Sequence, residues 1–201
     1  MFAKPWLNEI HIHGLTTPHP TLAHELVHIL AANFANPPLY IASSGSFNIN
    51  MAITEGLAVA LSPPSGQLDV HHGAKALFVD GYAPDMNSIL NPHSFFRQSP
   101  RRAYTLSGSF VKYLIDTRGV ELFKNYYQKS DFFQAYQENL ADVISQWRQF
   151  IDRISLNEFE RPIGKQLYSN PSIFDRPCAH VIANLKQQAR REKPEKATKI
   201  Y

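Results

Sequence analysis

Cysteine is nearly absent from this sequence of 201 residues, and long apolar runs are missing altogether. The single cysteine, Cys178, excludes a disulfide framework within the chain and a cysteine-rich zinc finger. No apolar run reaches the roughly 18 residues that a membrane helix needs. The start, Met1-Phe-Ala-Lys-Pro-Trp, lacks the apolar stretch of a signal peptide. We therefore expect a soluble chain, and the sequence does not indicate its compartment.

Charged residues are also scarce, at 18% of the chain, and the net charge is only +3. Residues 186–201 contain six Lys or Arg and two Glu, net +4, which leaves 14 basic and 15 acidic residues, net −1, in residues 1–185. The body of the chain is thus nearly neutral, so we expect no nucleic-acid partner. We interpret residues 189–201 as a basic, flexible tail.

What the sequence does contain is apolar material, 44% of residues, mostly in helical patterns. The one clear alternating stretch, 6–13, predicts a β-strand. Met86–Leu90 predicts a short turn, and Asp69 is a suitable N-cap for the helix that follows it. Helical spacing predicts the remaining elements: 21–34, 51–61, 71–79, 101–118, 119–129, 131–137, 140–154 and 170–188. The expected fold class is therefore mainly α.

The first predicted helix carries the motif His-Glu-Leu-Val-His at residues 24–28. Positions four apart share a helix face, so His24 and His28 can bind one metal ion. Glu25 follows the first of these ligands, where it can polarise a metal-bound water. The apolar residues around the motif predict a largely buried helix: Ala23, Leu26, Val27, Ile29 and Leu30. A zinc ion would satisfy both buried imidazoles.

A catalytic zinc needs a third protein ligand and an open position. No histidine stands six residues after His28, which excludes the extended metzincin motif. Glu55 is the next acidic residue after Glu25 and lies on the next predicted helix, so we predict it as the third ligand. Gly56 and Ala58 are small enough to let that helix pack closely on the first.

The HELVH motif, followed by a helix with Thr-Glu-Gly-Leu-Ala, resembles the gluzincin zinc metallopeptidases. Segments 103–119 and 140–148 are similar to the peptidase MA-like branch of that group, so the resemblance spans about residues 6–154. It implies an α+β zincin-like fold with one Zn²⁺ per chain. By resemblance, His24, His28 and Glu55 are zinc ligands and Glu25 is the general base.

The chain departs from the family before the zinc helix, where gluzincins have a sheet of several strands. Only 23 residues precede His24, so we expect the zinc-bearing helical half of such a domain with a remnant β edge strand at 6–13. Helices 101–118 and 140–154 would form the lower half of the cleft. The predicted domains are a gluzincin-like domain with an abbreviated sheet (1–154), a helical extension (155–188) and the tail (189–201). This organisation is consistent with a piece of a larger polypeptide.

Gluzincins stabilise the oxyanion with a Tyr or His that follows the third ligand. The resemblance makes Tyr104 the first choice, although a tyrosine packed on the core fits the pattern equally well. Three histidines are rivals for this role: His71, His72 and His93. Val59 replaces the Asp that often orients a ligand imidazole, so Asn48, Asn50 or a backbone carbonyl would have to do so.

Two other features are interpreted as structural. His11 and His13 share one face of the predicted strand without a third partner, which favours an exposed strand face over a metal site. Cys178 lies on an apolar helical stripe and is predicted to be a core residue.

The resulting hypothesis is a zinc-dependent metallopeptidase that acts on a peptide or protein substrate. No Gly-x-Met-Glu-Asn-like segment precedes the motif, which favours an endopeptidase over an aminopeptidase. One alternative is a catalytically inactive zinc-binding domain that serves as a recognition or regulatory module of a larger protein. The other is a non-enzymatic helical scaffold in which the motif is incidental.

Overall fold

The computed structural model describes residues 1–14, 19–45, 48–62, 68–170 and 172. The chain divides into two units, residues 1–170 and 171–201, and every element named below belongs to the first. The strands are β1 (Phe2–Lys4), β2 (Glu9–His11), β3 (Ser43–Ser44) and β4 (Asn48–Ile49). The helices are α1 (Leu22–Ala31), α2 (Met51–Leu61), α3 (Val70–Val79), α4 (Met86–Leu90), α5 (Pro92–Phe95), α6 (Pro100–Arg118), α7 (Val120–Lys129), α8 (Phe132–Tyr136), α9 (Leu140–Asp152) and α10 (Glu160–Tyr168). The expected mainly helical class is confirmed, with two small antiparallel sheets in the described part.

The N-terminal strands form a hairpin, in which Phe2 pairs with His11 and Lys4 with Glu9. The strand predicted over 6–13 is wrong in its extent, because β2 covers only Glu9–His11. A 3₁₀ turn occupies Pro5–Leu7, and Asn8 takes a left-handed φ of 55° that reverses the chain. A β3–β4 hairpin likewise interrupts the region between the first two helices.

Helix α2 lies against α6 at the centre of the fold, and two glycines allow this contact. A Cβ on Gly56 would lie 2.9 Å from the carbonyl oxygen of Ser107, and one on Gly108 would overlap the side chain of Val59. Gly108 therefore permits close packing of α6 on α2. Gly56 does so towards α6 and not towards α1, which corrects the expected packing partner. The largest fully buried side chains include Ile53, Leu77, Leu106, Phe110, Leu114, Tyr127 and Trp147.

Helix boundaries in this core agree with the capping chemistry of the sequence. Asp69 Oδ1 accepts a hydrogen bond of 2.8 Å from the backbone N–H of His71, which confirms the predicted cap of α3. Asn50 Oδ1 accepts from Ile53 N at 3.2 Å and begins α2. Gly119, with a φ of 89°, separates α6 from α7.

Helix α10 was not predicted, because Pro162 interrupts its apolar pattern. The helix begins at Glu160, so the proline falls in the first turn, where no intrahelical N–H bond is lost. Gly164 of α10 lies against Ala76 of α3, so this part of the predicted extension packs on the helices before it. The predicted helix 170–188, Cys178 and the tail 189–201 lie outside the described residues, apart from positions 170 and 172.

Helix α1 packs with one face only. Leu26 is 44% exposed and Leu30 is 63% exposed, so the expectation of a largely buried helix is wrong. The side that faces α2 is covered, and His28 is buried there. Within the described residues, no helix combines the length and apolar character needed to cross a membrane.

Candidate metal centre

The three predicted ligands converge where α1 crosses α2. His24 and His28 stand one helical turn apart on the covered face of α1. Glu55 lies in the middle of α2, whose start is fixed by the Asn50 cap. The side chains of all three are at most one-fifth exposed. This group of His24, His28 and Glu55 can hold a metal ion.

The ligand atoms form a tight triangle. His24 Nε2 lies 3.1 Å from Glu55 Oε2 and 3.2 Å from His28 Nε2, and His28 Nε2 lies 3.7 Å from Glu55 Oε2. A neutral imidazole nitrogen either donates or accepts one hydrogen bond. No choice of tautomers therefore satisfies both short contacts of His24. A central cation resolves this conflict, because each of the three atoms can then direct a lone pair at it.

The carboxylate of Glu55 is held in its charged form. Burial raises the pKa of Glu55. The hydrogen bonds and charges of His24 and His28 lower it by a larger amount, so that the pKa falls to about 2. The group is thus an anionic oxygen ligand at neutral pH, beside two imidazole nitrogens. Mixed nitrogen and oxygen donors of this kind suit a divalent transition metal.

The triangle opens into a cleft with a volume of about 970 Å³. Glu25 lines this cleft next to the ligands, half-buried on α1. Tyr104, in the second turn of α6, lines the same cleft. The structure therefore brings together all five predicted site residues: His24, Glu25, His28, Glu55 and Tyr104.

Tyr104 packs its ring on Phe95, with ring centroids 5.9 Å apart and planes nearly parallel. Burial, with a smaller contribution from the charges of Glu55 and Glu25, raises the pKa of Tyr104 to about 12. Its hydroxyl consequently keeps its proton at neutral pH and is available as a donor.

The three rival histidines are placed elsewhere. His71 Nδ1 contacts Ser109 Oγ at 2.9 Å inside the core, and His72 Nδ1 contacts Glu160 Oε1 at 2.7 Å. His93 is exposed on α5. In the part of the chain that the structure describes, none of the three lines the cleft.

The cleft walls differ in part from the expected ones. Phe2 and Ala3 of β1 line the cleft, whereas β2, which lies within the predicted edge strand, pairs with β1 and contributes no residue to the lining. Helix α6 lines it as expected. No described residue of α9 does, and the other wall comes from the start of α3 and the end of α10.

The structure also shows where the His11–His13 pair and the two asparagines, Asn48 and Asn50, lie. His11 Nε2 contacts Glu9 Oε2 at 3.0 Å and its ring stacks on Phe2. Neither His11 nor His13 belongs to a group of three possible metal ligands among the described residues.

Asn48 donates to Ser44 Oγ and Asn50 caps α2. Their described hydrogen bonds therefore do not involve the imidazoles.

Sequence reasoning did not single out several residues that line the cleft: Arg101, Thr105, Lys112 and Tyr168. Asp69 was predicted only as a helix cap, and it lines the cleft as well. For Arg101 a signal was present, since it stands three residues before Tyr104 and so shares its helix face. Tyr168 comes from α10, whose existence the sequence pattern did not indicate.

Comparisons with family models, with curated proteins and with solved structures find no match for this chain. The resemblance to gluzincins therefore rests on the motif residues quoted above.

Proposed function

We propose that this protein is a zinc-dependent metallopeptidase of the gluzincin type that hydrolyses peptide bonds in peptide or protein substrates. The observation that carries the proposal is the convergence of His24, His28 and Glu55 beside Glu25 in one cleft. Two histidines with a purely structural role would not need Glu55 from the next helix, Glu25 and a protonated Tyr104 in the same cleft.

The dimensions of the ligand triangle favour zinc. Zinc bonds to nitrogen and oxygen ligands measure about 2.0–2.2 Å. Two ligand atoms of a regular tetrahedron with such bonds stand about 3.3–3.6 Å apart. The three observed separations of 3.1, 3.2 and 3.7 Å bracket that range. Three protein ligands also leave the fourth position open, which distinguishes catalytic from structural zinc sites.

Each remaining group has a part in hydrolysis. Zinc, when bound, supplies a Lewis acid that polarises the scissile carbonyl and promotes ionisation of water. Glu25 takes a proton from the attacking water and delivers it to the leaving amine. The Tyr104 hydroxyl donates a hydrogen bond to the oxyanion that develops on the former carbonyl oxygen.

The mode of cleavage that we propose is endopeptidase rather than aminopeptidase. Residues 1–23, ahead of the zinc helix, contain no Gly-x-Met-Glu-Asn-like segment of the kind that would bind a substrate's N-terminus. Among the described residues, the acidic side chains that line the cleft are Glu25, Glu55 and Asp69. The first two belong to the proposed catalytic group, and Asp69 caps α3.

The test is hydrolysis of a mixed peptide library by purified, zinc-loaded protein, with products identified by mass spectrometry. We expect cleavage that stops with a chelator and resumes when zinc is added back. Glu25→Gln should lose at least about a hundred-fold in rate, a typical loss for removal of an acid–base group, while it keeps its metal. The matched control is Glu121→Gln, an exposed glutamate on α7 that should cleave like the wild type.

Retention of about one zinc per chain without Glu25-dependent cleavage would contradict the peptidase proposal. That result would favour a zinc-binding recognition module instead. Failure to retain any metal would favour a helical scaffold.

A further inference from the structure

One cationic side chain in the cleft has no hydrogen-bond or ion-pair partner among the residues that the structure describes. The basic residues that line the cleft within the described residues are Arg101 and Lys112. Lys112 Nζ donates to Asp116 Oδ2 at 2.9 Å. The guanidinium group of Arg101 is exposed and makes no hydrogen bond or ion pair within the described part of the chain. Arg101 therefore presents a full positive charge to whatever fills the cleft.

The position of Arg101 relates it to the reacting groups. It precedes Tyr104 by three residues, so the two side chains share a face of α6 and their Cα atoms are about 4.5 Å apart along the helix axis. Tyr104 in turn lies close enough to Glu25 and Glu55 for their charges to act on its hydroxyl. A substrate bound across Glu25 and Tyr104 thus has Arg101 at its flank.

The chemistry of a guanidinium group limits what it can recognise. Its planar fork of N–H donors matches a carboxylate in bidentate fashion, and charge-assisted pairs of this kind are about twice as strong as neutral hydrogen bonds. A peptide offers carboxylates only at Asp and Glu side chains and at its C-terminus. An extended peptide advances about 3.3–3.6 Å per residue, so the relevant carboxylate lies within about three residues of the cleaved bond.

We propose, on the basis of the peptidase function above, that Arg101 binds a carboxylate of the peptide substrate and so sets a preference for peptides that carry one near the cleaved bond. Asp69, the cleft carboxylate outside the proposed catalytic group, does not pair with Arg101. Asp69 Oδ1 accepts a hydrogen bond from the backbone N–H of His71, and no ion pair joins Asp69 to Arg101. Among the described residues, the guanidinium of Arg101 is thus left for the substrate.

The test uses three pools of N-acetylated pentapeptides with the same neutral residues. One pool ends in an amide, one in a free carboxylate, and one in an amide with a single Glu at a varied position. The kcat/KM of each pool is measured with zinc-loaded wild type, Arg101→Met, Arg101→Lys and Arg97→Met. Arg97 is the matched control, because it is an exposed arginine outside the cleft lining and without a described ion pair.

We expect the wild type to favour one carboxylate pool over the neutral pool, and the favoured pool identifies the source as C-terminal or side chain. Arg101→Met should reduce that ratio about two- to five-fold, the range for loss of a solvent-exposed ion pair. Arg101→Lys should give an intermediate ratio, since it keeps the charge but not the fork. Arg97→Met should keep the wild-type ratio. Equal ratios in the wild type and Arg101→Met would overturn the proposal, as would an equal loss in Arg97→Met.

A binding measurement separates this proposal from the peptidase function. Zinc-loaded Glu25→Gln, with and without Arg101→Met, is dialysed to equilibrium against the same pools and the retained peptides are quantified. Arg101-dependent retention of carboxylate peptides without cleavage by the wild type would reject the peptidase function and keep the carboxylate site. Cleavage without any carboxylate preference would reject the carboxylate site alone. Absence of both would reject both.

Discussion

At the scale of single residues, Tyr104 shows how burial prepares a side chain for one role. Its ring is fixed by stacking on Phe95, and its raised pKa keeps the hydroxyl protonated beside two carboxylates. A group so placed can donate a hydrogen bond but has no tendency to ionise or to bind a metal as phenolate. These properties suit stabilisation of a developing negative charge.

Replacement of Tyr104 by phenylalanine tests this role. The ring contact with Phe95 is retained, so we expect unchanged folding and metal content. Loss of one donor to an oxyanion typically lowers kcat about 10²- to 10³-fold, and we expect a fall in that range with little change in KM. Steady-state kinetics on a cleaved library peptide gives the answer, with Tyr82→Phe as the control outside the cleft. Wild-type kcat in Tyr104→Phe would remove Tyr104 from the reaction.

His71 illustrates the opposite case, a buried histidine with a structural role. Trp147 Nε1 donates to Ser109 Oγ at 3.0 Å, and Ser109 Oγ contacts His71 Nδ1. Burial is the main cause that lowers the pKa of His71. The charges of Asp69 and Asp116 raise this pKa, and those of Lys112 and His72 lower it, each by less than burial does. The folded protein therefore favours the neutral ring.

This preference makes His71 a source of acid sensitivity. The unfolded chain takes up a proton near pH 6.5, whereas the folded protein does so only at lower pH. Its contribution to stability is thus complete above that range and is lost as the pH falls towards the lowered folded-state pKa, with a limiting slope of about 1.4 kcal/mol per pH unit. We expect the stability difference between wild type and His71→Gln to shrink between pH 7.5 and 5.5.

Urea unfolding at several pH values, with a chelator present to remove any metal contribution, measures this difference. The other histidines are common to both proteins and cancel in the comparison. A constant difference across the range would show that His71 does not titrate differently in the two states.

At the scale of elements, the site depends on how closely α2 approaches α6. Glu55 precedes Gly56, which lies against the backbone of Ser107 and the side chain of Val111. The glycine thus sets the depth of α2 in the core, while the neighbouring Glu55 contacts His24 and His28 of α1. Packing and site geometry are coupled through two adjacent residues.

We expect Gly56→Ala to destabilise the protein, although alanine is the better helix former by about 1 kcal/mol. The added Cβ would meet a backbone oxygen at 2.9 Å, which cannot move without shifting α6, and overpacking of this kind costs about 1–3 kcal/mol. Thermal unfolding measures the net effect. Ser145→Ala, at an exposed position of α9, should remain within about 0.5 kcal/mol of the wild type. An increased midpoint in Gly56→Ala would show that α2 and α6 are less tightly packed than described.

The sequence predicted those features that depend on local spacing. His24 and His28 were recognisable because four residues span one helical turn, and the cap at Asp69 because its chemistry is local. The direction in which Gly56 packs was not recognisable, since small residues indicate a close contact without naming the partner helix. The predicted extent of the strand, 6–13, was wrong because the alternation of apolar residues does not reveal the left-handed turn at Asn8.

At the scale of the whole molecule, the candidate metal centre joins two helices, α1 and α2, that differ in how much of their surface is packed against the core. Helix α2 is embedded in the core, whereas α1 leaves Leu26 and Leu30 exposed. The contact between His24 and Glu55 spans 31 positions of the sequence. A metal ion there binds the folded chain and not the unfolded one, so its binding free energy adds to the stability of the whole unit.

This coupling predicts a metal-dependent melting temperature. At a free zinc concentration about 100 times the dissociation constant, stabilisation is about 2.7 kcal/mol. For a domain of this size, that corresponds to a Tm higher by about 5–11 °C. Calorimetry of the wild type should show this shift between chelator and zinc. Glu55→Ala should lose most of it, because one ligand is missing, and Glu25→Gln should keep it, because Glu25 is not a ligand. An equal shift in Glu55→Ala and the wild type would place the bound zinc elsewhere, and loss of the shift in Glu25→Gln would make Glu25 part of the ligand set.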